Sequence, residues 1–182
     1  MERKTILKWE MFGILFISLL GSLLHFTFEL GGFWRPLAVV SAVNESVWEH
    51  LKIGFWPAFI WGVTEFFVFG KKVKNFFFAK AVTFLLIPII IVVLFYSYTY
   101  ATGTELLAVD IIIFFAAIAA AQIAGYRIML IRKRFLSLNI IGAVIILACL
   151  VLFSLFSYFP PRYQLFKDAV TGGYGIIGEA NH

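Results

Sequence analysis

Charge is scarce in this sequence. Lys, Arg, Asp and Glu supply 14% of its 182 residues, against about 25% in an ordinary soluble domain, too few to cover a soluble surface. Cysteine is almost missing: the single Cys149 lies inside an apolar run, which excludes a disulfide framework and a zinc-finger array. Polar low-complexity tracts are missing too, and with them the signature of intrinsic disorder. So is the period-2 alternation of a transmembrane barrel. What is there instead is 62% hydrophobic residues, 22 phenylalanines among them. Lipid is the solvent for most of such a chain.

Windows of about 19 residues give five apolar spans, 11–30, 53–70, 81–100, 106–126 and 139–159. At 1.5 Å per residue, helices of that length match a hydrocarbon core of about 30 Å, and a helix satisfies its own backbone groups there. The expectation is an all-α polytopic transmembrane helix bundle of about five spans, a single integral membrane domain over 1–182 with a tail at 160–182. The basic start and apolar run at the N-terminus resemble a secretory signal, but the run is too long and lacks a small-x-small cleavage site, so it is expected to remain as the first span.

Charge sets the expected direction, because Lys and Arg in short loops stay on the cytoplasmic side. With the N-terminus inside and the C-terminus outside, the inner segments hold Arg3, Lys4, Lys8, Lys71, Lys72, Lys74, Lys80, Arg127, Arg132, Lys133 and Arg134. Against Glu2 and Glu10 that is a field of about +9, while the outer segments carry about −3 and Glu65 is left in the membrane. The formal +5 therefore combines two fields of opposite sign. Its basic clusters flank spans and so suit anionic lipids at the cytoplasmic face of the cell membrane rather than nucleic acid. Trp9 and Tyr126 fall at the inner boundary as aromatic anchors, and Trp34, Trp48, Tyr100 and Tyr158 near the outer one.

All three histidines, His25, His50 and His182, fall on the outer side in this frame. His25 and Glu29 are four apart and share a helix face. The block Asn44-Glu45-Ser46-Val47-Trp48-Glu49-His50-Leu51-Lys52 then crowds polar groups just before the second span. Helix capping accounts for part of it: Asn44 as N-cap, Glu45 in the first turn, and Ser46-x-x-Glu49 as a capping box. Capping does not account for His50, whose cation is disfavoured at a helix N-terminus. The functional reading brings His25, Glu29, Glu49 and His50 together, with Glu45 and Asp168 as further members. Its metal ligands are His25, Glu29, His50 and Asp168, its acid–base pair Glu49 and His50. Two imidazoles with carboxylates suit a divalent transition metal such as zinc, and a shared shell needs the two rings within about 5 Å of each other.

The tail begins at Pro160-Pro161, which stops the fifth span, and continues as a short amphipathic stretch. Leu165, Phe166 and Val170 are expected in the interface, and Arg162, Lys167 and Asp168 toward water, as a lid over the outer end. Within the membrane, Glu65 can snorkel toward Lys71 or Lys72, and Asp110 and Gln122 lie in the fourth span. Pro57 and Pro88 remove amide donors inside spans two and three.

The block at Asn44 to Lys52, the His-bearing first span and a tail with Pro160-Pro161, Leu165-Phe166, Asp168, Thr171-Gly172 and Tyr174-Gly175 resemble an uncharacterised family of small prokaryotic multi-pass membrane proteins. The resemblance implies that block and tail form one outward-facing unit, and it brings no activity with it. Three functions stay open: a metal-dependent hydrolase or transferase acting on a membrane-associated substrate, a small ion or proton channel or carrier through Glu65 and Asp110, and a non-catalytic membrane subunit. The last would dock a partner membrane protein or a second copy of itself.

Overall fold

The computed structural model describes residues 3–176. Five helices account for most of them: α1 Arg3–Leu30, α2 Val47–Val68, α3 Phe76–Thr102, α4 Leu107–Met129 and α5 Leu136–Leu155. No strand occurs among the described residues; a single antiparallel bridge joins Lys167 and Tyr174 in the tail. All five helices are long and apolar enough to cross a membrane. The chain alternates direction at each, so α1 starts, α2 ends, α3 starts, α4 ends and α5 starts at one end. That end carries Lys71, Lys72, Lys74, Arg132, Lys133 and Arg134 and is called the basic end below. His25 and His50 lie at the opposite, histidine end.

Four of the helices begin ahead of their apolar windows, while α2 and α5 stop short of theirs; α5 ends at Leu155, so Pro160-Pro161 does not stop it. The first begins eight residues early and the third five, because a charged residue ends an apolar window without ending backbone hydrogen bonding. Glu10 and Lys80 lie in these extensions and are buried, which a helix tolerates when the charges meet each other. They do, with Glu65 as third member: Lys80 Nζ lies 2.8 Å from Glu10 Oε1 and pairs with Glu65 Oε2. This replaces the expected snorkelling of Glu65 toward Lys71 or Lys72. Lys71 instead lies over the rings of Phe66 and Phe67.

Helix α3 is central and touches α2, α4 and α5, while α1 packs on α2 and α4. Small residues allow the close approaches. Ala117 and Ala121 give α4 a smooth, fully buried face, and a Cβ on Gly142 of α5 would lie 2.7 Å from the Phe77 carbonyl oxygen of α3. Helix α2 runs through Pro57, which leaves the carbonyl of Ile53 without its usual i+4 donor. Gly21 of α1 faces that carbonyl, a Cβ there being 2.8 Å from its oxygen. Ile17, Phe55, Phe84, Ile87 and Ile118 fill the middle of the bundle. Trp48 belongs to this core rather than to an interfacial belt: it is 9% exposed and stacks on Phe153, with Phe166 of the tail against it.

At the basic end Asn75 fastens α3 to the loop before α5. Its amide donates to the carbonyls of Ile131 and Lys133, and its oxygen accepts from Phe135 N–H at 2.9 Å. At the histidine end, α3 closes with Gly103 in the left-handed conformation (φ 71°).

Candidate functional site

The site is built where the connection from α1 to α2 folds back on α1. Gly32 and Phe33 both adopt positive φ (64° and 59°), turning the chain sharply after α1. A short 3-10 helix over Arg35–Val39 follows. The amide of Ala42 then donates to the Leu24 carbonyl, which lays the connection beside His25. Asn44 Oδ1 accepts from Ser46 N–H at 2.8 Å, an Asx turn that reverses the chain around Glu45. Ser46, not Asn44, is the N-cap of α2, accepting from Glu49 N–H. The expected capping box is only half present, since the Glu49 carboxylate turns to Val43 N–H instead.

Three side chains converge at this turn. His25 Nε2 and His50 Nε2 are 3.2 Å apart, and Glu45 Oε2 lies 3.6 Å from the first and 3.5 Å from the second. They are the His, Cys, Asp and Glu group that could hold a metal ion among the described residues. His50 Nδ1 lies 2.9 Å from the Ser46 carbonyl, and a carbonyl only accepts, so Nδ1 carries the hydrogen. Neutral His50 therefore presents an Nε2 lone pair to His25 and Glu45. Two ring nitrogens so close need a proton or a cation between them. Glu45 adds a negative charge, and its carboxyl is held below the usual carboxylate range. The cause is first the hydrogen bond from His25, resisted by partial burial, then attraction to His50 and His25. The side chains are 26%, 35% and 46% exposed for His25, His50 and Glu45, so water reaches them.

The triangle has the dimensions of a metal face. Around a tetrahedral ion with bonds of about 2.0–2.1 Å, two ligand atoms lie roughly 3.3 Å apart. Observed edges are 3.2, 3.5 and 3.6 Å. The bond from His50 Nδ1 to a backbone carbonyl is also the support that metal-bound imidazoles usually have.

The other residues singled out from the sequence lie elsewhere. Glu29 is exposed on the last turn of α1. Glu49 is 2% exposed and turned inward: Oε2 pairs with Lys52 and accepts from Val43 N–H, and Oε1 accepts from Ser157 Oγ at 2.9 Å. Lys52 completes this knot by donating to the Ala38 carbonyl at 2.7 Å and to Ser157 Oγ at 2.6 Å. All three ammonium hydrogens are thereby used. Asp168 does not face water; it is 4% exposed. Its Oδ1 accepts from the backbone N–H of Glu45 at 2.8 Å, and its Oδ2 from the amide and hydroxyl of Thr171. Burial pushes its carboxyl up, but the Thr171 and Glu45 donors outweigh it and hold it below the usual range. Asn44 Nδ2 also binds the tail, at the Gly175 carbonyl. The tail therefore grips the backbone of the turn that carries Glu45. His182 lies outside the described residues.

Sequence reasoning missed Ser157, the load on Lys52 and the part of Thr171 in holding Asp168. No local signal marks Ser157, whose partners Lys52 and Glu49 are more than 100 residues away; the Lys52–Glu49 pair, by contrast, has ordinary helical spacing. Of the carboxylates near the histidines, only Glu45 sits in the turn itself.

Five helices of membrane length and apolar composition fit a multi-pass membrane protein, one with a histidine–carboxylate cluster at one end of its bundle. The chain belongs to a family of unknown function, DUF6512, whose profile matches residues 1–176. Comparison with curated proteins and with solved structures finds no match.

Proposed function

We propose that this protein binds a divalent transition metal of the zinc class at His25, Glu45 and His50, and uses it on a membrane-associated substrate. The observation that carries the proposal is the three-donor triangle with edges of 3.2, 3.5 and 3.6 Å. Three protein ligands leave a further position open, the pattern of catalytic rather than structural zinc. An ion there would lower the pKa of a coordinated water toward neutrality, which suits hydrolysis or group transfer. In this reading the basic end faces the cytoplasm and its anionic lipids, and the site opens outward from the cell membrane. The chain's own residues then have separable tasks. His50 is oriented by the Ser46 carbonyl, Glu45 is held by Asp168 through its backbone, and the Glu49–Lys52–Ser157 knot keeps α2, α5 and the connection in register.

Metal titration tests this. Purified protein in detergent, stripped with chelator, should take up one zinc or cobalt(II) ion per chain, cobalt giving the absorption of a nitrogen–oxygen site. His25→Ala and His50→Ala should each weaken uptake by at least about tenfold. Binding should also fade on acidification, because only neutral rings ligate, and His25, whose ring the hydrogen bond with Glu45 holds above the ordinary imidazole value against its partial burial, takes up a proton early. Uptake that is absent, or equally tight in a folded double variant, overturns the proposal.

A further inference from the structure

A second polar centre lies toward the basic end and owes nothing to the metal reading. Glu10 of α1, Glu65 of α2 and Lys80 of α3 are 1%, 0% and 1% exposed, and the ammonium of Lys80 touches both carboxylates. Two acids and one base leave one negative charge if all are ionised. Burying an unbalanced charge is costly enough that such a group takes up a counter-charge or a proton. We infer that Glu10, Glu65 and Lys80 form a proton-binding site within the membrane, holding one proton shared between the two carboxylates while Lys80 stays charged between them.

The hydrogen-bond pattern points the same way. Glu10 Oε2 and Glu65 Oε1 are buried without a partner, and so are Trp61 Nε1 and Gln122 Nε2. Gly13 lies three residues beyond Glu10 on α1, and Trp61 four residues before Glu65 on α2. A Cβ on Gly13 would collide with both unpartnered nitrogens, so the missing side chain keeps that turn open for them. Gln122 itself is 1% exposed and comes from α4. Unpartnered acceptors on α1 and α2 thus lie about one turn along from the place where unpartnered donors of α2 and α4 meet Gly13, an arrangement that a bound proton with internal water satisfies. A metal cation does not fit, because the Lys80 ammonium already touches both carboxylates.

The surrounding groups do not supply the missing charge. From α3, Thr83 spends its hydroxyl on the Ala79 and Ala121 carbonyls. From α4 come Gln122, which is neutral, and Tyr126, which packs in the apolar cluster of Ile6, Phe69, Phe76 and Met129. Asn75 binds the loop before α5. Among the described residues, the buried ionisable groups besides this triad are Glu49, Lys52 and Asp168, with Cys149. The first three are engaged at the histidine end, and Cys149 is a thiol within α5. The partly buried Asp110 is held by the Tyr98 hydroxyl at 2.6 Å at that same end.

Infrared difference spectroscopy of the full chain in lipid, made with isotope-labelled glutamate to separate Glu from Asp, tests the inference. Wild-type protein at neutral pH should show the carbonyl stretch of a protonated glutamic acid. Glu10→Gln and Glu65→Gln should each abolish it, since either remaining carboxylate then ionises against Lys80. Lys80→Met should about double it. Absence of the band in the wild-type chain, or its persistence in both glutamine variants, overturns the inference. Absence of the band from the wild-type spectrum overturns the inference even if a variant fails to fold.

Discussion

Lys52→Met removes one end of the best-buried ion pair at the histidine end and leaves the other end behind. The lost ammonium holds Glu49, the Ala38 carbonyl and Ser157 Oγ. Afterwards the Glu49 carboxylate, 2% exposed, keeps only two neutral donors, Val43 N–H and Ser157 O–H. Breaking a buried pair from one side costs about 3–5 kcal/mol, because the stranded charge keeps its desolvation penalty. For a chain of this size, that corresponds to a drop of roughly 6–20 °C in Tm. Adding Glu49→Gln to Lys52→Met removes the stranded charge and should recover most of the loss, whereas two independent sites would show added losses. Thermal unfolding of the wild type, both single variants and the double variant in one detergent measures the coupling. A Lys52→Met protein within about 1 kcal/mol of wild type, as for an exposed pair, would refute the buried knot. So would additive single losses.

Asp168→Asn replaces a carboxylate whose two oxygens bind Glu45 N–H and Thr171. Hydrogen bonds to a charged group contribute about 1.5–3 kcal/mol each, and a supporting residue of this kind changes metal affinity by about 10–100-fold. Zinc titration of the variant should show that loss with His25 and His50 intact. The same clamp has a predictable pH dependence. A carboxyl held below its ordinary value of 3.8 contributes stability that is complete above that value and is lost as pH falls through the lower folded value. Protease cleavage of the tail should therefore stay slow through mildly acidic pH and rise only under strong acid. Gly142→Ala should cost about 1–3 kcal/mol as overpacking, because the added methyl meets the Phe77 carbonyl oxygen at 2.7 Å and Phe78 Cα at 3.0 Å, backbone that cannot swing aside. Unfolding at the wild-type temperature would contradict the close α3–α5 contact.

The five helices were legible because lipid imposes one requirement on every residue of a span, and apolar runs advertise it. Helix ends were less legible: Glu10 and Lys80 read as loop charges until a partner on another helix explains their burial. At the histidine end, His25 and His50 stood out by residue type, and a 3.2 Å approach is what a shared site requires. Choosing among the carboxylates was beyond the sequence. Glu29 and Glu49 have helical spacing in their favour, but the direction of Glu49 is set by Lys52 and Ser157, and that of Glu45 by a turn. Asp168 stands 123 residues from the amide it binds, a separation no local pattern bridges.

Composition and the order of apolar residues along the chain thus pointed to an apolar solvent, the helical class and the number of spans, since each follows from local hydropathy and backbone hydrogen bonding. Only the tertiary structure decided which groups meet: Lys80 with Glu10 and Glu65, Lys52 with Glu49, and Glu45 with the two imidazoles. The physical reason is that electrostatic and hydrogen-bonding partners are fixed by distances of a few ångströms between side chains on different elements, and sequence order does not encode those distances.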